Sequence, residues 1–375
     1  MRAGSDHFKK EAGMAHIKEA DENGESAVLI PDYVKYPREF ITYRWFRPIL
    51  TFILFILFYI IFDVILLIAV GVATNTQNVL DLAAGGYDSL DVSTPAGALI
   101  NLGGTAVMIP ALALANLIAG GRTFKSYESS RGGWNYSIFF KCLLIAIVTV
   151  SVPIALDEVF HYGRMADNKF TLLGVLVLTL VCPMQCIAEE FVFRGLIMQT
   201  FGSWFRITPL AILISAAGFA AVHPYNAIGV AEIFISGCMF CIAAWAGRGI
   251  EVSSALHVAN NMAIFYCVGL GFGEITSQVE IRDLILGFAI DALYVGVILY
   301  CRKRGMFDKV KKNDAAEWNA KAEAKRARKA AAKAARKKAA PDANAIPADG
   351  TVVIGTADDA SVIAEVSDVQ EKSVE

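Results

Sequence analysis

Residues 49–73 read ILTFILFILFYIIFDVILLIAVGVA and carry a single charged side chain, that of Asp63. About 20 consecutive apolar residues are enough for a helix to cross the hydrocarbon core of a bilayer. A strand of a membrane β-barrel would alternate between polar and apolar residues, and residues 52–57 do not alternate. The segment therefore predicts a transmembrane helix, in which the backbone satisfies its own hydrogen bonds.

The composition of the whole chain agrees with this segment. Hydrophobic residues make up 55% of the 375 residues and charged residues only 19%, whereas about 25% of the residues of soluble proteins are charged. Most of the charges lie before residue 48 or after residue 301, which excludes an ordinary soluble enzyme. Eight segments are apolar and long enough to span a bilayer: residues 49–73, 96–119, 136–156, 170–200, 207–222, 228–246, 252–270 and 283–300. The predicted fold class is all-α, a polytopic transmembrane bundle of about eight helices in a multi-pass integral membrane protein.

The charges outside these segments predict the orientation and the domain organisation. Lys and Arg residues collect in the loops of one side, and the first loop of the other side, residues 74–95, has none. The positive-inside rule then places both termini in the cytoplasm. We expect four regions, namely a polar cytoplasmic N-terminal segment (1–47), the transmembrane core (48–301), a basic cytoplasmic helix (302–340) and a disordered acidic tail (341–375).

The basic region, residues 302–340, interleaves Ala with Lys and Arg. This composition favours a helix, which Pro341 would end. Its positive charge predicts binding to anionic lipid headgroups, and a solvated tail on the positive side of the membrane is the other interpretation. No specific nucleic-acid partner is expected.

Charged residues inside a membrane are costly and mark functional sites. Glu190 and Arg194 are four residues apart, on one face of the fourth predicted helix, where a charge-assisted pair lowers the cost of burying both. Glu189 points about 100° away from Glu190 and has no local partner. We therefore expect Glu189 to be the carboxylate available for general acid–base chemistry. A helix end at the membrane interface, where charges cost little, is the other interpretation.

Two histidines lie in or next to predicted membrane helices. His223 follows Phe219 by four residues, and Asn261 follows His257 by four, so each pair shares a helical face. A lone histidine in a membrane is more often a hydrogen-bonding group between helices than a catalyst. Two histidines together with a double glutamate and an asparagine favour a catalytic site.

Together, Glu-Glu-x-x-x-Arg, Phe-x-x-x-His and His-x-x-x-Asn, in this order within residues 170–270, resemble the CPBP family of intramembrane proteases. That family includes the CAAX prenyl endopeptidases and bacterial bacteriocin-processing or self-immunity proteins. The resemblance implies an intramembrane endopeptidase that hydrolyses a peptide bond with an activated water. Its expected partner is a hydrophobic or membrane-associated peptide or protein substrate.

The resemblance also implies a role for each motif residue. Glu189 and His223 would hold and deprotonate the water, and His257 and Asn261 would face the developing oxyanion. Three further residues would support the helices structurally: Glu190, Arg194 and Phe219.

The cofactor is left open. Glu189, His223 and His257 match a catalytic zinc ligand set with one open position, but they come from three helices and lack a His-Glu-x-x-His pair. The sequence slightly favours a metal-independent water activated by glutamate and histidine, so no metal ligand is assigned.

Two other functions fit the predicted fold. A non-catalytic membrane binding protein, or a bacteriocin-immunity protein, would keep the fold without hydrolysis. A secondary transporter would use the buried polar residues as a proton relay, although the sequence has no evident internal repeat. Asp63 and Asp291 have no assigned role, and we expect both to face the interior of the bundle.

The predicted depths of the motif residues conflict if every helix is straight and flush with the membrane. His223 would lie about 24 Å along its helix, Glu189 about 17 Å from its helix end, and His257 less than about 10 Å from the cytoplasmic face. Staggered or broken helices around a hydrated intramembrane chamber would bring the three together, and Pro224 is a natural break. We therefore expect the fifth helix to sit lower than its hydropathy suggests.

Overall fold

The computed structural model describes residues 30–73, 91–310 and 313–339. Within these ranges every regular element is a helix, which confirms the all-α fold class. The predicted disordered tail, residues 341–375, lies outside the described residues. The chain divides into two compact units, residues 1–324 and residues 325–375.

Each of the eight predicted segments forms a helix, and a ninth helix follows them. The helices are α1 (Arg47–Ala73), α2 (Pro95–Ala119), α3 (Tyr136–Tyr162), α4 (Leu172–Phe205), α5 (Thr208–Ala221), α6 (Ala227–Gly247), α7 (Ile250–Gly269), α8 (Ile281–Lys303) and α9 (Asp314–Ala339). The described part of the ninth helix reaches Ala339, and the expected helix end at Pro341 lies outside the described residues.

Six helices of the described residues are long and apolar enough to cross a membrane, rather than eight. The two predicted spans that fall short are α5 and α7. Helix α5 has only 14 residues, which is too few for about 30 Å of hydrocarbon. Helix α7 contains Glu251, His257 and two asparagines, which lower its hydropathy. Neighbouring helices surround the buried half of α7, whereas α5 is short and keeps exposed side chains such as Leu210 and Leu213.

Helices α1 and α7 differ in how much of their surface is buried. Helix α1 has only 11% of its most apolar stretch buried, and side chains such as Ile53 and Leu57 are exposed along its length. Helix α7 is buried at every residue from Ile250 to Ala259, and it packs against α3, α4 and α6. The apolar surface of α1 suits a lipid environment, whereas α7 forms the centre of the protein.

The two unassigned aspartates lie in α1 and α8. Asp291 is buried, with 4% of its surface exposed. Asp63 is close to Gly104 of α2, because a Cβ atom on that glycine would meet its carboxylate at 2.7 Å. Both therefore face neighbouring helices, as expected for costly charges in a membrane.

Helix α4 changes its winding next to the double glutamate. It is α-helical from Leu172 to Glu190, becomes a π-helix over Phe191–Met198 and ends as an α-helix at Phe205. Short π-helical segments are rare, and they occur frequently at functional sites. The change in winding begins directly after the two carboxylates and redirects the side chains that follow them.

The described part of the N-terminal segment packs onto the last turns of α4, Gln199–Phe205. A short 3-10 helix, Tyr33–Glu39, buries Tyr33 and Val34, and the hydroxyl of Tyr33 donates to the carbonyl oxygen of Tyr127 at 2.5 Å. The backbone of Tyr127 in turn lies against Gly195, where a Cβ atom would meet its carbonyl oxygen at 3.1 Å. The segment therefore holds the second half of α4 from the side on which α1 begins.

Candidate active site

The charges of Glu190 and Arg194 compensate each other in the interior. Arg194 Nη1 donates to Glu190 Oε1 at 2.8 Å, and both side chains have 0% of their surface exposed. The guanidinium also donates to the carbonyl oxygen of Gly237 at 3.3 Å and lies over the rings of Phe219 and Phe240. A buried charge pair of this kind needs such extra contacts to offset the loss of hydration.

His257 of α7 lies between the two glutamates of α4. Its Nδ1 atom is 3.1 Å from Glu190 Oε1, and its Nε2 atom is 3.6 Å from Glu189 Oε2. Because Arg194 keeps the Glu190 carboxylate an acceptor, Nδ1 donates to it, and Nε2 is the ring atom that faces Glu189. The distance of 3.6 Å is longer than a hydrogen bond, so both atoms remain available to a small molecule beside them.

Glu189 has one oxygen bound and one oxygen free among the described residues. Its Oε1 atom accepts a hydrogen bond from Gln185 Nε2 at 2.7 Å. Its Oε2 atom is buried and has no hydrogen-bond partner in the described part of the chain. The carboxylate is therefore oriented through one oxygen, while the other faces His257.

Gln185 connects Glu189 to the asparagine of the third motif. Asn261 Nδ2 donates to Gln185 Oε1 at 3.2 Å, so Asn261 reaches the glutamate indirectly. The sequence interpretation missed Gln185. The available signal was an amide four residues before Glu189, on the same face of an otherwise apolar helix.

Phe219 lies between the two histidines. Its ring centroid is 4.7 Å from that of His223 and 6.0 Å from that of His257, and the latter pair meets edge to face. His223 follows the end of α5 at Ala221, and its Nδ1 atom is 2.7 Å from the carbonyl oxygen of Phe219. Since a carbonyl only accepts, Nδ1 donates, which leaves Nε2 of His223 as the other polar atom of the ring.

The structure therefore groups the motif residues in two layers. In one layer, the imidazole of His257 is within ion-pair distance of both Glu189 and Glu190. His223 stands on the other side of Phe219, and none of the hydrogen bonds of the described residues joins it to Glu189.

The length of α4 relieves the predicted conflict of depths. Its 34 residues extend about 51 Å, longer than the hydrocarbon core of about 30 Å, so at least one end projects beyond the membrane. Glu189 lies near the middle of α4, and α5 packs on the π-helical part that follows. The conflict arose because the sequence interpretation ended each helix at the membrane surface.

The zinc ligand set is not assembled by this geometry. No three His, Cys, Asp or Glu side chains of the described residues lie close enough together to hold a metal ion. His257 and Glu189 face each other, whereas His223 lies on the other side of the Phe219 ring. The residues present do not fit a three-ligand zinc site, so no chemical step is assigned to a metal.

A cavity of about 330 Å³ lies against α4, and none of its lining residues is a motif residue. Side chains of α2, α3 and α4 line it, together with part of the loop between α2 and α3, and they are mostly apolar. Ile187 and Phe191 contribute the α4 wall, two residues before and two after Glu189. An extended apolar chain fits the dimensions of such a cavity.

Residues 171–263 match the family model described as Type II CAAX prenyl endopeptidase Rce1-like. The matched stretch is less than half of the 375 residues, and it contains all seven motif residues. No curated protein and no solved structure matches the chain. The match supports the resemblance to CAAX-type membrane proteases of the CPBP family. Together with the six apolar helices of the described residues, it indicates an integral membrane protein whose residues 171–263 are similar to the Rce1-like family.

Proposed function

We propose that this protein is an intramembrane endopeptidase in which Glu189 and His257 activate a water molecule. The observation that carries the proposal is the free Oε2 atom of Glu189, which is buried and lies 3.6 Å from His257 Nε2. A water placed beside both atoms would donate to the carboxylate, which favours its deprotonation.

The neighbouring residues support this role by fixing His257. Arg194 holds Glu190, and Glu190 accepts from Nδ1 of His257, so the Nε2 atom stays directed at Glu189. His257, the partner of the base Glu189, is therefore oriented by Glu190, which is itself oriented by Arg194.

The reaction then proceeds by addition and elimination. Glu189 takes a proton from the water while the oxygen of the water bonds to the peptide carbonyl carbon. The C–N bond breaks as Glu189 returns that proton to the leaving amine, so the carboxylate is regenerated. His223, on the other side of Phe219, is the second imidazole near the reacting group, and its role in binding the water or the oxyanion stays a prediction.

An apolar cavity against α4 and the family description support a hydrophobic substrate. The apolar cavity of about 330 Å³ between α2, α3 and α4 would take a hydrophobic segment of a membrane-associated peptide. The family description adds a prenylated CAAX peptide as the first substrate to try. We expect both chain termini on the cytoplasmic side of the membrane, because the positive-inside rule places the loops that are rich in Lys and Arg there.

The test compares hydrolysis by three forms of the purified protein in nanodiscs. Wild-type protein should cleave a farnesylated peptide ending in a CAAX sequence, or a member of a panel of unprenylated hydrophobic peptides. Glu189→Gln, which keeps the shape but removes the base, should lower the rate by roughly 10²–10⁴-fold. Glu274→Gln makes the same change at an exposed carboxylate and should leave the rate unchanged.

The outcomes separate the enzyme from a binding protein of the same fold. If Glu189→Gln cleaves at the wild-type rate, the assigned base is wrong. If neither form cleaves any peptide while both bind one equally well, the non-catalytic function replaces the proposed one.

A further inference from the structure

Helix α9 separates its positive charges from its alanines. Residues 324–339 contain eight Lys or Arg residues and no Asp or Glu. At 100° per residue, six of the basic positions fall within an arc of about 160°. These six are Lys325, Arg326, Arg328, Lys329, Lys333 and Arg336. Between residues 324 and 336 the opposite side of the helix carries only alanine.

The charges of this arc are not neutralised within the described protein. Every residue from Glu323 to Arg336 is exposed. The nearest ion pair on the helix, Lys321 with Glu317, lies one turn earlier. Six like charges on one side of a helix repel one another, and an external anionic surface would offset that repulsion.

Contacts at the start of α9 attach its first turns to the rest of the first unit. Trp318 Nε1 donates to Thr42 Oγ1 at 2.7 Å. Asn319 donates to the carbonyl oxygen of Glu39 at 2.8 Å and accepts from the amide of Ile41 at 2.9 Å. The first turns of α9 are therefore attached to the segment that leads into α1.

That segment reaches the membrane surface within a few residues. Trp45 is 67% exposed and Phe46 is 47% exposed, and Arg47 directly after them begins the membrane helix α1. Exposed aromatic residues at the end of a membrane helix are typical of the headgroup region. Helix α9 therefore begins at the membrane interface on the side where α1 starts.

We propose that the basic side of α9 binds the anionic phospholipid headgroups of that leaflet. A polybasic segment attached at the end of a membrane helix is suited to an anionic surface, and each Lys or Arg strengthens the contact roughly five-fold. Attachment through Trp318 and Asn319 makes the contact intramolecular for the membrane-embedded chain, which raises the effective lipid concentration. The alanine side, which offers no charge, faces away from the headgroups.

The test measures amide hydrogen exchange of residues 325–336 in the full chain. The protein is placed in nanodiscs of phosphatidylcholine alone or in discs that contain about a third of phosphatidylserine. Exchange should slow by about tenfold in the anionic discs, because binding suppresses local opening of the helix. High salt, which screens surface charges, should remove the difference.

Two matched variants assign the effect to one side of the helix. Replacing Lys325, Lys329 and Arg336 by Gln removes the centre of the basic side and should weaken the contact roughly a hundred-fold. The control places Gln at three positions of the other side, Ala327, Ala331 and Ala334, and should keep the protection.

Three results would overturn the proposal. Exchange could be equal in both kinds of disc, or the alanine-side control could lose protection to the same extent as the basic-side variant. Protection by an added RNA or DNA oligomer in neutral discs, without protection by phosphatidylserine, would instead identify a nucleic-acid surface. Because hydrolysis plays no part in this measurement, its result is independent of the proposed peptidase activity.

Discussion

Removal of the Arg194 guanidinium should destabilise the protein more than removal of the whole Glu190–Arg194 pair. Arg194→Met keeps most of the side-chain volume and leaves the Glu190 carboxylate buried with 0% of its surface exposed. Breaking one partner of a buried ion pair costs about 3–5 kcal/mol, because the remaining charge is uncompensated. The variant also loses the donor to Gly237 and the contacts with Phe219 and Phe240.

The double variant Glu190→Gln with Arg194→Met should recover part of that loss. Both charges are then absent, so the free energy of unfolding should rise by about 2 kcal/mol over that of Arg194→Met alone. Unfolding of the detergent-solubilised protein by increasing denaturant, followed by circular dichroism, measures all forms. Arg206→Met changes an exposed arginine at the end of the same helix and should shift the unfolding free energy by less than about 0.5 kcal/mol.

Two results would refute this reasoning. Arg194→Met could cost no more than Arg206→Met, which would mean that the pair is hydrated in the membrane. Alternatively, the loss of unfolding free energy in the double variant could equal the sum of the losses in Arg194→Met and in Glu190→Gln. The two side chains would then contribute separately, and Arg194 would not hold Glu190.

Two further predictions concern residues that surround the site. Gln185→Leu removes the 2.7 Å donor to Glu189, and a hydrogen bond to a charged group contributes about 1.5–3 kcal/mol. In the peptide hydrolysis assay, this variant should lower kcat by about 10–100-fold with KM unchanged. Gln278→Leu, at an exposed position, is the control. Gly202→Ala places a methyl group against the backbone of Val34 and should lower the free energy of unfolding by about 1–3 kcal/mol, measured by denaturant. An unchanged kcat in Gln185→Leu would contradict the role of the Gln185–Glu189 hydrogen bond. An unchanged denaturation midpoint in Gly202→Ala would contradict the close packing of Gly202 on Val34.

The spacing of the motifs predicted the local contacts of the site better than the contacts between helices. Residues four apart share a helical face, and Glu190 meets Arg194 as that spacing requires. The insertion of His257 between Glu189 and Glu190 depends on how α7 crosses α4, which no local pattern contains. The resemblance paired Glu189 with His223, whereas the closer imidazole in the structure is that of His257.

The count of spanning helices shows the same difference. Hydropathy measures whether a segment tolerates lipid, and it therefore found every helix from α1 to α8. It does not tell whether lipid or protein surrounds a helix. Helix α7 packs against α3, α4 and α6. Its buried polar residues are stable there because the neighbouring helices, rather than lipid, surround them.

The amino-acid sequence by itself determined that this chain is a helical membrane protein, because lipid forces each long apolar segment to satisfy its own backbone as a helix. It also determined which residues share a face, since helical geometry is local. Only the tertiary structure decided which faces meet: the packing of α4 against α7 brings Glu189 to His257, and Gln185 links the glutamate to Asn261. Those contacts depend on helix crossing and on the π-helical turn after Glu190, which arise from the packing of the whole bundle.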